Sequence, residues 1–109
     1  MNLFAEIRAL VVVSLEEMVT SGALPAGLDM TNVAVEPPRD AAHGDMATNA
    51  AMVLAKPAGQ PPRVIAEALA ARLAADPRII AAEVAGPGFL NLRLAPECWQ
   101  DIVRAALTE

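Results

Sequence analysis

The chain has 109 residues, of which 55% are hydrophobic, and a formal net charge of −5 at pH 7. This length suits one domain, residues 1–109, with one sizeable core, and the hydrophobic share excludes a disordered chain. The negative charge argues against an autonomous nucleic-acid-binding domain, because such domains are usually basic.

The first predicted element is a helix over about residues 2–21. Apolar side chains recur there at the spacing of one helical face, and Gly22 is placed for a left-handed cap. Residues 23–31 are predicted to form a loop. Residues 32–36 then alternate like a strand, which Pro37-Pro38 ends.

Two helices are predicted in the middle of the chain. Asp45 stands where a helix N-cap belongs, ahead of a helix over residues 46–56 that Pro57 ends. Pro61-Pro62 opens the next helix, because proline suits a first helical turn, and Asp76-Pro77 ends it.

A β-hairpin is predicted after these helices. Residues 79–84 alternate as a strand and lead into Gly86-Pro87-Gly88, and residues 89–94 form the partner strand. Successive strand side chains point to opposite faces, so the leucines of the second strand share one face. Its other face carries Phe89, Asn91 and Arg93.

The order of these elements predicts an α+β fold. A last helix begins at Pro96, and its inner face is predicted to be Trp99, Ile102, Val103 and Ala106. Few strands, partly joined as a hairpin, with helices between them favour a small, mostly antiparallel sheet of three to four strands. About four helices then pack mainly on one face, which leaves the other face uncovered.

The uncovered face of the second hairpin strand combines a ring, an amide and a guanidinium. These groups offer base stacking, hydrogen bonding and phosphate contact, which suits a single-stranded nucleic-acid loop. The structural alternative is that the Phe89 ring packs against its own hairpin. Asn91 and Arg93 are then ordinary solvated strand residues.

Catalytic and metal-binding functions find little support in this sequence. One histidine and one cysteine cannot assemble a tetrahedral zinc site, and Cys98 lies on an apolar helix, where inert buried thiols are common. Gly86-Pro87-Gly88 precedes a strand and not a helix, so it does not fit a phosphate-binding loop. We therefore expect no catalytic residue, metal or cofactor in this chain.

The location of the protein is predicted from what its sequence lacks. The longest strongly apolar piece, residues 10–15, is far shorter than the ~18 residues of a membrane span. The N-terminus lacks the features of a signal peptide, and a single cysteine excludes an internal disulfide. We expect a cytoplasmic protein.

Three segments together resemble a known family. Residues 35–39 read Val-Glu-Pro-Pro-Arg, residues 43–49 read His-Gly-Asp-Met-Ala-Thr-Asn, and residues 86–91 read Gly-Pro-Gly-Phe-Leu-Asn. In this order they resemble the amino-terminal additional domain of bacterial arginyl-tRNA synthetases. The resemblance covers nearly the whole chain, from the first helix to about residue 105.

The resemblance implies a module that contacts the outer corner of tRNA, where an unpaired D-loop base is recognised. Phe89 matches the position that stacks on the base, and Asn91 matches the amide that hydrogen-bonds it. Gly86 and Gly88 are carried over as turn formers. The tRNA-binding set implied in this way, with Arg93 added from the strand pattern, is Phe89, Asn91, Gly86, Gly88, Arg39, His43 and Arg93.

The resemblance also implies that this chain is a fragment of a larger ligase. The chain stops where a class I catalytic domain should begin, so we expect no aminoacylation by this fragment alone. ATP, with magnesium, is expected as the cofactor of the full-length enzyme. The expected partners are the D-loop of tRNA(Arg) and the catalytic domain of the same chain, with no membrane and no DNA.

Two other functions stay open on the sequence alone. The chain could be a docking module whose sheet face or alanine-rich helices bind another protein or domain, without contacting RNA. A small free-standing enzyme is the third reading, and it lacks a convergent set of catalytic groups. Two interpretations also stay open for His43-Gly44-Asp45. In one, Gly44 makes a turn, Asp45 caps a helix and His43 is a loop residue. In the other, Arg39 and His43 contact a partner or another domain.

Overall fold

Seven helices and strands make up the part of the protein that the computed structural model describes, residues 3–37, 44–86 and 88–96. They are, in chain order, α1 (Leu3–Thr20), β1 (Val35–Glu36), β2 (Met46–Thr48), α2 (Ala50–Ala58), α3 (Pro62–Ala74), β3 (Ile79–Ala85) and β4 (Phe89–Leu94). The predicted first and third helices and the predicted hairpin are confirmed within one or two residues.

The strands form one antiparallel sheet of four strands, in the order β1-β2-β4-β3. β3 and β4 pair as the predicted hairpin, with Ala85 opposite Phe89 next to the turn. β2 pairs with the other side of β4, so β4 is a central strand. The α+β class and the antiparallel sheet are therefore confirmed, with three helices in the described residues where about four were predicted.

The segment that follows Asp45 differs from its prediction. Met46–Thr48 is a strand, and α2 begins at Ala50, so Asp45 is not a helix N-cap. The helix also continues through Pro57 to Ala58, two residues beyond its predicted end at residue 56. Pro57 has no N–H to donate to the carbonyl four residues before it, so the last turn of α2 lacks that one hydrogen bond.

The core lies between the helices and one face of the sheet. The apolar faces of α1, α3 and β4 supply it, and Ile7 of α1, Leu69 of α3 and Leu92 of β4 are fully buried. The complete apolar stripes that meet there are Leu3, Ile7, Val11, Leu15 and Met18 from α1, Ile65, Leu69 and Leu73 from α3, and Leu90, Leu92 and Leu94 from β4. The uncovered sheet face is the one that carries Phe89 and Arg93, both exposed.

The segment between α1 and β1 is held by a half-buried arginine of α1 rather than by regular structure. Arg8 of α1 donates from Nε to the Val33 carbonyl at 2.7 Å and from Nη2 to the Met30 carbonyl at 3.0 Å. The predicted strand over residues 32–36 shortens accordingly to Val35–Glu36.

Some predictions lie outside the described residues. These are the predicted last helix with its inner face, and the positions of Arg39 and His43. Among the described helices, none combines the length and hydropathy needed to cross a bilayer.

Candidate functional site

A groove of about 670 Å³ opens where the β3–β4 hairpin turns, at one end of the sheet. Phe89 and Asn91 of β4 contribute to one wall, and Met52 and Val53 of α2 contribute to another. Glu36, at the end of β1, also lines the groove, and β1 is the edge strand opposite to β3. The groove is large enough for a planar base or a short side-chain cluster, because ligand pockets begin at roughly 300 Å³.

Phe89 and Asn91 share the groove because of the alternation along β4. Leu90 and Leu92 are fully buried beneath the strand, whereas the Phe89 ring is 42% exposed. Asn91 lies between Ala47 of β2 and Glu83 of β3 in the register of the sheet. Two positions on one face of an antiparallel strand are about 6.8 Å apart, so a planar ligand stacked on the ring can reach the amide.

The start of α3 packs against the hairpin turn and holds it in place. Gly86 has φ +56°, which favours glycine, and its carbonyl accepts a hydrogen bond from Nη1 of Arg63 at 2.9 Å. A Cβ on Gly88 would clash with Cβ of Pro62. Glycine is therefore required at position 88 by the packing of Pro62 against it.

Arg63 is the charged residue at this turn that the sequence prediction missed. Its place beside Gly86 depends on how α3 packs on the hairpin. No local pattern of residues reports such a contact, because it joins positions far apart in the chain.

Gly44 and Asp45 have a structural role on β4. The Asp45 backbone N–H donates to the Leu92 carbonyl at 2.8 Å, and its carboxylate accepts from the Leu94 N–H at 2.8 Å. A Cβ on Gly44 would lie 2.8 Å from the Leu92 carbonyl oxygen. These two residues therefore dock the chain onto β4, and the predicted Asp45 helix cap is wrong.

Thr48 and Asn49 line the groove and hold its wall in place, a role that the sequence analysis did not predict. The Thr48 hydroxyl donates to the Ala34 carbonyl at 2.8 Å. The Asn49 Oδ1 accepts from the Ala34 N–H at 2.8 Å, and its Nδ2 donates to the Asn32 carbonyl at 3.3 Å. Because these polar atoms already have partners, the groove wall they form is pre-organised.

The charged side chains in and beside the groove limit which ligands can enter it. Glu36 lines it, and Glu83 stands beside Asn91 on the same sheet face. Within residues 3–37, 44–86 and 88–96, no three His, Cys, Asp or Glu side chains converge to hold a metal ion. The exposed Arg93 lies on this face but is not in the groove wall.

Two carboxyl groups with lowered pKa lie outside the groove. Hydrogen bonds from Thr31 lower the pKa of Asp29, and the Arg78 side chain, which donates to Asp76, lowers the pKa of that carboxyl. Neither residue lines the groove, so neither shift points to acid–base chemistry there.

Comparisons with known proteins agree with one another. The family described as "Arginyl tRNA synthetase N terminal domain" matches residues 5–94. The arginine–tRNA ligase of Paracoccus denitrificans is 75% identical over 109 residues, and that of Ruegeria pomeroyi is 72% identical over 109 residues. In both cases the match covers 100% of this chain and 19% of the relative.

A solved structure gives the same result for the fold. The arginyl-tRNA synthetase of Thermus thermophilus superposes with a TM-score of 0.66 and 27% sequence identity. The match covers 89% of this chain and 15% of that protein. The chain thus spans about a fifth of the length of the curated relatives it matches.

Proposed function

The chain belongs to the arginyl-tRNA synthetase N-terminal domain family, and from this premise we propose that it recognises tRNA(Arg) on behalf of a larger arginine–tRNA ligase. The groove receives an unpaired base of the tRNA D-loop. The remainder of the ligase, including its catalytic domain, binds ATP with magnesium and arginine and carries out the arginylation. The observation that carries the proposal is the groove with Phe89 and Asn91 in one wall.

Phe89 supplies the stacking surface. Its ring is exposed, while its backbone is held in the β3–β4 ladder opposite Ala85. A ring on a fixed strand loses little conformational freedom when a base stacks on it. Stacking of this kind contributes about 1–3 kcal/mol.

Asn91 supplies hydrogen bonds to the edge of the base. An amide offers both an acceptor and two donors, and Asn91 is half-buried beside the groove. Leu90 and Leu92, buried on both sides of it in sequence, fix the direction in which the amide points. The hairpin therefore presents the ring and the amide to one ligand in a constant arrangement.

The first test truncates Phe89 and Asn91 separately to alanine in the full-length ligase. We expect kcat/KM for tRNA(Arg) to fall by about 5- to 150-fold with Phe89→Ala, the equivalent of one stacked base. The KM values for ATP and arginine should stay unchanged. The matched control is Ile80→Ala, which truncates a side chain that is 59% exposed on β3 and outside the groove.

The second test removes bases from the D-loop one at a time. An abasic position that weakens charging by the wild-type enzyme should not weaken charging by Phe89→Ala any further, because the two changes remove the same contact. Fully additive losses at every D-loop position would refute stacking by Phe89. Unchanged tRNA kinetics for both variants, with no protection of the D-loop in footprinting, would favour the docking module instead.

A further inference from the structure

The hairpin turn carries a cation whose position is set by tertiary packing. Arg63, in the first turn of α3, is exposed, and its Nη1 donates to the Gly86 carbonyl at 2.9 Å. Gly86 lines the groove and Phe89 follows it by three residues. Across the ranges that the structure describes, no carboxylate forms an ion pair with Arg63.

The acidic groups around the groove decide where a phosphate can lie. Glu36 belongs to β1, three strand spacings or about 14 Å across the sheet from β3. Glu83 projects from β3 beside Asn91. A phosphate is repelled from both of these places, so a nucleotide with its base in the groove must direct its phosphate toward the turn.

The guanidinium at the turn can hold two partners at once. Arginine presents five N–H donors in a rigid fork, and the Gly86 carbonyl engages one of them. Pro61 and Pro62, at the start of α3, have no backbone N–H to offer an anion. The Arg63 side chain therefore offers donors beside the turn that the two prolines cannot supply.

We propose that Arg63 binds the backbone phosphate next to the nucleotide whose base occupies the groove, while it holds the turn through Gly86. This inference rests on the proposed function, because it needs RNA in the groove. It assigns a contact that the strand pattern attributes to Arg93, which lies outside the groove wall. Arg63 then acts on tRNA affinity without reading the identity of the base.

The test measures binding of tRNA(Arg) to the full-length ligase between 50 and 200 mM salt. The association constant K falls as the salt concentration rises. Losing one phosphate contact to a single strand makes this negative slope of log K against log salt less steep by about 0.7. If the plots of log K against log salt for the wild type and the variant meet near 1 M salt, Arg63→Gln binds tRNA about eightfold more weakly at 50 mM salt and about threefold more weakly at 200 mM salt. Arg63→Lys keeps the charge and should keep most of the slope.

The matched control is Arg72→Gln, which removes the same charge from the same helix. Arg72 lies nine residues further along α3, about 13 Å away, and it contacts Glu17 and Ser21 instead of the hairpin. Its slope should equal that of the wild type. An equal loss of slope in Arg72→Gln would overturn the proposal, because the effect would then come from net charge.

Other outcomes separate this inference from the function on which it rests. An unchanged slope in Arg63→Gln with weakened binding in Phe89→Ala refutes the phosphate contact and leaves base stacking in place. Wild-type binding by both variants refutes both. Equal weakening by Arg63→Lys and Arg63→Gln at an unchanged slope shows that Arg63 holds the turn and does not contact a phosphate.

Discussion

Residues that stand together in one short motif serve different purposes in this domain. In the segment from Gly44 to Asn49, the side chains that form hydrogen bonds in the structure link one part of the fold to another. Asp45 binds the backbone of β4, and Asn49 binds residues 32 and 34. In the Phe89-Leu90-Asn91 segment, by contrast, two of three side chains turn toward the groove. Motif membership alone therefore does not identify a ligand contact.

Gly44 is the residue in this motif that tolerates substitution least. It has φ +127°, and a Cβ would lie 2.8 Å from a carbonyl oxygen of a central strand. Gly44→Ala should lower the free energy of unfolding by about 2–4 kcal/mol, which combines backbone strain with overpacking. Urea denaturation followed by circular dichroism measures this change.

The control for that substitution is Gly59→Ala at the end of α2. Gly59 has φ +68° but no atom within 4 Å of its added Cβ, so alanine there suffers backbone strain alone. We expect a loss of about 1–2 kcal/mol. Equal losses in the two variants would show that the close approach of Gly44 to Leu92 does not constrain the fold.

At the scale of whole elements, the helices and strands that could be predicted are those that depend on the local pattern of residues. α1, α3 and the hairpin follow from the spacing of apolar residues and from proline and glycine at their ends. β2 was missed because three residues of mixed propensity become a strand through pairing with β4, which lies far along the chain. The groove could not be predicted for the same reason, since α2 and the hairpin meet there without being neighbours in sequence.

The connection from α3 to β3 is expected to make stability depend on pH. The Asp76 carboxylate accepts from the Arg78 N–H at 2.8 Å and from the guanidinium Nε at 3.0 Å, and the side-chain bond is the main cause of its lowered pKa. A carboxyl whose pKa is lower in the folded state stabilises the fold above its unfolded pKa. This stabilisation is lost as the pH falls through the folded value.

The variant Asp76→Asn isolates this contribution. At pH 7 it should be less stable than the wild type by about 0.5–1 kcal/mol, the size of a partly exposed ion pair. The difference should begin to shrink as the pH falls below the unfolded pKa of about 3.9, and it should vanish below the lower folded pKa, where the wild-type carboxyl is protonated in both states. Urea denaturation at pH 7, 4 and 2.5 follows it, and a constant difference would contradict the linkage.

At the scale of the whole molecule, the acidic charge is compatible with the proposed RNA contact if this contact helps to choose the tRNA and supplies only a small part of the binding free energy. A net charge of −5 repels a polyanion at long range. A chain that spans about a fifth of its relatives leaves most of each relative to supply basic surface. Local stacking and hydrogen bonding can then favour one tRNA over another without supplying the bulk of the affinity.

This division of labour predicts that the isolated 109-residue chain binds tRNA(Arg) weakly. A stacked base and one hydrogen bond provide about 2–4 kcal/mol, and one phosphate contact strengthens binding about fourfold at 150 mM salt, so we expect a Kd of about 0.3 mM or weaker. An NMR titration at 150 mM salt should shift the amide signals of Phe89 and Asn91 without saturation at hundreds of micromolar tRNA. A saturating isotherm with a Kd near 10 μM would show instead that this domain anchors the RNA. Within the full-length ligase, an effective concentration in the millimolar range would be enough to make the weak contact count in selecting tRNA.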